Sequence, residues 1–299
     1  MTTSEVTLPQ KTAGAPARRP MRVMGAGRQL HAGPVTYVVL VLFALVSLAP
    51  LVWTAIAASR TNTRLARTPP PLWFGGNLFR NLQTAWDQAG MGTAMFNTVF
   101  VAGTITAGTV LFSTLAGFAF AKLRFRFSAT LLLLTIGTMM IPPQLAVVPL
   151  YLWMSDLGWA NHLQTVVLPT LVSAFGTFFM RQYLVQALPS ELIEAARVDG
   201  ASSLRVVWHV VFPAARPAMA VLGLLTFVMA WNDFLWPIIA LNGENPTVQV
   251  ALNQLGTGYI PDDSVIMAGA LLGTLPLLIA FLLFGKQIVG GIMQGAVKG

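Results

Sequence analysis

Two stretches of this chain bring together side chains that could do chemistry. Glu194-Ala195-Ala196-Arg197-Val198-Asp199-Gly200 is a long polar interruption in a very apolar C-terminal two thirds, and Trp231-Asn232-Asp233, followed by Trp236, sets an acid and an amide between two indoles. The first offers no nucleophile beside a base, so its chemistry is that of a docking surface. Pro189 and Ser190 are helix-start signals, Glu191 and Glu194 place negative charge where the helix dipole favours it, and Gly200 suits the left-handed residue just past a helix end. Leu192, Ala195, Ala196 and Asp199 are spaced to share one face, where alanines let another surface come close. Beyond Gly200-Ala201 the pattern predicts a second short helix from about Ser203 to Phe212, stopped by Pro213.

The second stretch has two readings. A carboxylate beside an apolar segment is costly and faces a partner or a watery cavity. Asp233 is therefore either a solvated acid at a helix end or, with Trp231 and Asn232 and with Trp236 stacking nearby, part of a pathway lining.

What would have to position these stretches follows from composition. Of 299 residues, 55% are hydrophobic and 9% charged, and the mean hydropathy is +0.69. A soluble domain carries about a quarter charged residues, so this is an integral membrane protein. Cysteine is absent, which excludes a thiol nucleophile and cysteine-ligated metal, and His31, His162 and His209 lie far apart with no metal-ligand spacing. No Ser/His/Asp set, His-x-x-x-His or pair of carboxylates falls at membrane depth, and no G-x-x-x-x-G-K-[ST] is present to cradle ATP phosphates. The chain is thus not read as an enzyme, and no cofactor or metal site is expected on it. A net charge of +8 does not point to nucleic acid, because the basic residues sit at the ends of apolar runs.

Residues 1–34 have no apolar period and read as a disordered, basic cytosolic tail. Six apolar runs follow, near Val35–Ala58, Phe96–Ala121, Thr130–Trp153, Thr165–Arg181, Ala218–Leu241 and Val265–Phe284, each long enough to cross about 30 Å of hydrocarbon. The expected fold is all-α, with six transmembrane helices. Fourteen of the 18 Lys and Arg residues lie in the N-terminal tail, the connection after span two, the region around Glu194 and the C-terminus. The other four, Arg60, Arg64, Arg67 and Arg80, share one loop on the opposite side. The bias makes both termini and the Glu194 region cytosolic. Thr109, Ser113, Gly117 and Ala121, and likewise Gly269 and Gly273, recur every four residues and predict close helix packing. The outer loop 242–264, with Asn242, Glu244, Asn245, Asn253, Gln254, Tyr259 and Asp262, is either ligand- or partner-facing or an ordinary loop.

Glu194-Ala195-Ala196, three residues, Gly200, nine residues, Val210, one residue, Phe212-Pro213 resembles the EAA loop of binding-protein-dependent ABC importer permeases, with Val210 and Phe212 where that family has Ile and Leu. Asn97-Thr98, Met140-Ile141-Pro142-Pro143 with Pro149-Leu150-Tyr151, Trp231-Asn232-Asp233-Phe234 with Pro237, and the terminal Gly295–Gly299 resemble the carbohydrate branch, of the maltose, cellobiose or glycerol-phosphate kind. The resemblance implies a type I ABC importer transmembrane domain over residues 35–299, with the EAA loop at about 182–217. It implies that Glu194, Ala195, Ala196, Arg197, Asp199, Gly200 and Ala201 form a coupling helix in a cleft of an ATPase subunit. It further implies two such ATPase subunits using ATP and Mg, a second homologous permease, an extracytoplasmic sugar-binding protein and a bacterial cytoplasmic membrane location. The rival reading is a gradient-driven transporter acting alone, which would call for more intramembrane acids and an internal repeat.

Overall fold

The computed structural model describes residues 33–257 and 261–296, the side chains of 284–296 excepted. The expectation for the tail therefore lies almost wholly outside the described residues, as do Tyr259 and the last three residues. Contacts divide the chain into two units, one ending at Leu48 and one running from Ala49 to Gly299. The first contributes the start of α1 (Pro34–Ala58), whose residues to Leu48 are apolar and exposed along their length.

In the second unit the chain continues through α2 (Asn62–Leu65), α3 (Leu78–Gln88) and the long α4 (Met91–Lys122). Then come α5 (Ser128–Thr138), a 3-10 turn (Pro143–Ala146), α6 (Val147–Asp156), α7 (Leu163–Val167), a second 3-10 turn (Leu168–Thr170) and α8 (Ala174–Ala187). The remainder is α9 (Ser190–Val198), α10 (Ser203–Val206), a π-helical turn (Val207–Val211), α11 (Phe212–Trp231), α12 (Leu235–Ala240), α13 (Val248–Gly256) and α14 (Asp263–Ala296). Among the described residues, four helices are long and apolar enough to cross a membrane, or up to six if each of two bent pairs is one span.

Those bent pairs refine the expected spans. The run read as Thr130–Trp153 is two helices meeting at 88°, because Pro142-Pro143 cannot continue the hydrogen-bond ladder. The fourth run bends by 41° near Pro169 and restarts where the Ser173 hydroxyl accepts the Gly176 N–H at 3.0 Å.

The fifth run corrects the sequence reading at both ends. The helix does not stop at Pro213 but is continuous from Ser203 to Trp231. The widened turn explains why: the Phe212 N–H bonds to the Val207 carbonyl, five residues back, so the ladder has already changed register where Pro213 lacks its donor. At the other end the helix breaks at Asn232 and resumes only at Leu235, so the segment expected to run to Leu241 is two elements.

Helix α4 is the central post. Its stripe of small residues receives α8 as expected: a Cβ on Gly117 would lie 2.8 Å from the Arg181 nitrogen and from Met180 Cβ, and the Thr109 hydroxyl donates to the Thr170 carbonyl at 3.3 Å. The second stripe, Gly269 and Gly273, admits leucine and valine side chains of α13 instead. The N-terminal loop is ordered by hydrogen bonds to the end of α1: Asn81 donates to the Ala58 and Arg60 carbonyls, and Arg60 to that of Trp73.

Candidate functional site

Helix α9 starts at Ser190, carries Glu191 in its first turn, and ends with Asp199 as its C-cap and Gly200 at φ +77°. The Ala201 N–H bonds to the Ala196 carbonyl at 2.9 Å and the Gly200 N–H to that of Arg197 at 3.0 Å, the paired bonds of a Schellman ending. Glycine is favoured here because a left-handed backbone puts a Cβ too close to the following carbonyl. Yet a Cβ built on Gly200 would meet nothing within 4 Å, so the space beside it is open.

The helix is anchored on one side only. Ile193 is buried, and Ala196 and Ala201 pack against the same core, which includes Phe118 of α4, Met180 and Leu184 of α8, and Val211, Ala215 and Leu222 of the fifth run. The other side is exposed: Glu194, Ala195, Arg197, Asp199 and Gly200 lie there with Leu192, Val198, Leu204 and Trp208. Val198 is 88% exposed and Trp208 56%. These open apolar side chains lie among the exposed charges of Glu194, Arg197, Asp199 and Arg205. One core thus holds α9 together with residues of α4, α8 and α11. Lys122, Arg181, Arg197, Arg205 and Arg216 all lie at this end of the bundle.

At the opposite end the second stretch separates into two kinds of residue. Trp231 is 1% exposed, and its indole N–H donates to the Gly273 carbonyl at 3.1 Å; Trp236 is buried, and its N–H donates to the Thr165 carbonyl at 3.0 Å. These two indoles tie the break between α11 and α12 to α14 and to α7. Between them, Asn232 is exposed with its amide donating to the Val228 carbonyl at 2.8 Å, and Asp233 is half-buried beside the first turn of α12.

Sequence reasoning missed a polar junction close by. Asn161, at φ +61°, donates its backbone N–H to the Ala240 carbonyl at 2.9 Å and its amide to Glu244 at 3.1 Å, while its side-chain oxygen accepts the Asn242 N–H at 3.0 Å and its carbonyl accepts from Asn245 at 2.9 Å. Asn97 and Thr98 hold the same loop from α4: the Asn97 amide donates to the Pro246 carbonyl at 3.0 Å, and the Thr98 hydroxyl accepts the Val248 N–H at 2.8 Å. An asparagine in a short polar loop is the one local signal for the left-handed turn at 161. The partners 80 residues away leave no trace in spacing. Among the described residues no three His, Cys, Asp or Glu side chains are grouped to hold a metal ion.

Among the described residues the chain is all-helical, with four to six candidate spans and a short helix, α9, anchored on one side. Residues 110–292 match the family described as the binding-protein-dependent transport system inner membrane component, and the chain belongs to that family, as a permease subunit of such importers. It is 32% identical over 265 residues to the lactose transport system permease protein LacG of Rhizobium radiobacter, covering 88% of this chain and 96% of LacG. It is 30% identical to the arabinooligosaccharides transport system permease protein AraQ of Halalkalibacterium halodurans, over 86% of this chain and 93% of AraQ. It is also 30% identical to the sn-glycerol-3-phosphate transport system permease protein UgpE of Yersinia enterocolitica, over 86% of this chain and 95% of UgpE. Among solved structures, a chain of a bacterial ABC transporter involved in the import of the acidic polysaccharide alginate shares the fold at a TM-score of 0.72. The identity is 22%, with 84% of this chain and 94% of that chain covered.

Proposed function

We infer that this chain is one half of the translocation pathway of an ATP-driven sugar importer and that α9 is its coupling helix. The observation that supports this most is the one-sided anchoring of α9, with Ile193 in the core of the bundle and Glu194, Ala195, Arg197, Asp199 and Gly200 open. Ala196 and Ala201 set the height of that surface by packing beneath it. In this reading each bent pair is one span, giving six. The end that gathers Lys122, Arg181, Arg197, Arg205 and Arg216 is cytosolic, with both termini on that side.

Two ATPase subunits supply the energy, using ATP and Mg that this chain does not itself bind. A second homologous permease completes the pathway, and an extracytoplasmic binding protein delivers the sugar to the opposite end. The names of the relatives, which span lactose, arabino-oligosaccharides and glycerol phosphate, support a small carbohydrate cargo. Closure of the ATPases on ATP shifts the population of inward- and outward-facing states only insofar as α9 is held differently in the two. Asn232 and Asp233 present polar groups to the pathway at the break in the fifth span, and Trp231 and Trp236 keep that break in place.

Uptake by cells expressing the whole importer tests this. With proton and sodium gradients collapsed and ATP maintained, uptake is expected to persist, and Asn232→Ala combined with Asp233→Ala to lower it about tenfold, the worth of one or two hydrogen bonds, with the complex still assembled. Loss of uptake on collapse of the gradients would favour a gradient-driven carrier. Normal uptake by the double variant would remove Asn232 and Asp233 from the pathway.

A further inference from the structure

An open, mostly apolar cleft of about 420 Å³ lies at the Asn161 end, lined by Phe100 and Thr104 of α4, by His162, Gln164 and Val167 at and within α7, and by Asn245. Its volume falls in the range of about 300–1,000 Å³ usual for small-molecule sites. Two of its walls are tied from behind. Asn245 is fixed by its bond to the Asn161 carbonyl, and α7 by Trp236. The loop entering α7 is tied to itself where the Thr165 hydroxyl donates to the Trp159 carbonyl, and His162 Nδ1 pairs with the Ala160 carbonyl at 2.9 Å. By contrast, the Thr104 hydroxyl and the Gln164 amide make no hydrogen bond to any described residue, and Phe100 is half-exposed at the opening. The cavity therefore combines a pre-set frame with spare donors and acceptors and one open aromatic face.

No lysine, arginine or carboxylate lines it. Asn161, which holds Asn245 in the lining, also bonds Glu244, whose carboxylate repels an anion. Amide and hydroxyl groups beside an aromatic ring suit the hydroxyls and the C–H face of a sugar ring. A phosphate or uronate would meet no lysine or arginine there.

We propose that this cavity is a transit subsite for one ring of a neutral saccharide, with Gln164 and Thr104 hydrogen-bonding its hydroxyls and Phe100 receiving its apolar face, and that it discriminates against phosphorylated and acidic sugars. The proposal rests on the sugar-importer reading above and narrows its cargo. It is independent of Asn232 and Asp233.

The test is uptake into proteoliposomes carrying the complete importer, with its binding protein saturating, on a panel of lactose, melibiose, an arabino-oligosaccharide and sn-glycerol 3-phosphate. At least one neutral saccharide is expected to be carried and glycerol phosphate not. The pair Gln164→Ala and Thr104→Val is expected to slow saccharide uptake about tenfold, as for two lost neutral hydrogen bonds, while ATP hydrolysis stimulated by the binding protein changes less than twofold. Gln164→Asn, which retains the amide, should recover part of the loss. Preferred transport of glycerol phosphate, or wild-type saccharide uptake by the pair, overturns the subsite. Equal loss of uptake and of stimulated ATP hydrolysis also overturns it, since that marks a structural role. Failure of the wild type to carry any member of the panel overturns the small-carbohydrate reading itself.

Discussion

Replacing Gly200 with tryptophan is expected to reduce ATP-driven uptake by at least about a hundredfold, a loss on the scale of an interface hot spot, while the subunit still folds and inserts. The backbone at +77° charges any L-residue only about 1–2 kcal/mol, and the space that a Cβ would enter is empty within this chain. Close to the backbone, a new side chain therefore meets only a surface brought against α9 from outside. Glu194→Lys complements it, because Glu194 is exposed and its reversal leaves the core beneath Ile193 intact. Both variants are read by uptake and by retention of the ATPase on the purified complex. Normal uptake by both would show that the face of α9 carries no partner.

The largest stability effect is expected from Trp231→Ala, at about 3–5 kcal/mol. The indole is the largest of the fully buried side chains, stands 5.7 Å from the ring of Phe227, and supplies the hydrogen bond to the Gly273 carbonyl. Its removal opens a cavity where α11 meets α14 and takes away the indole N–H that the Gly273 carbonyl accepts. Trp231→Phe keeps most of the volume and loses the bond, so it should cost about 1–3 kcal/mol. Thermal unfolding of the detergent-solubilised complex checks the order: a midpoint lowered by about 10 °C or more for alanine and by less for phenylalanine. If alanine left the midpoint unchanged, Trp231 would not be holding the break in the fifth span, and a direct role in the pathway would become the better account of it.

The parts of this structure that were legible in the sequence are those set by neighbours in the chain. Pro189, Ser190 and Gly200 bracket α9 within a residue of the ends they signal, and the Thr109–Gly117 stripe meets α8 because a four-residue period is itself the geometry of a helix face. Pro213 misled because the sequence rule assumes a regular ladder, whereas the π turn at Val207–Val211 absorbs the missing donor one residue earlier. The break at Asn232 was hidden by hydropathy, since Phe234 to Leu241 is as apolar as a span, while the indole bonds of Trp231 and Trp236 that flank the turn reach distant backbone. The junction at Asn161 was out of reach for a different reason. Its partners lie some 80 residues away, and nothing in a short polar loop says which distant backbone it will satisfy.

That α9 is the contact through which ATP hydrolysis in another subunit drives this chain is tested most directly by affinity purification from its native membrane in mild detergent, followed by mass spectrometry. The account predicts a P-loop ATPase and a second multi-span permease in the wild-type preparation, with the ATPase lost selectively from Gly200→Trp. Recovery of this chain alone, or only with copies of itself, in a preparation still competent for transport would contradict it.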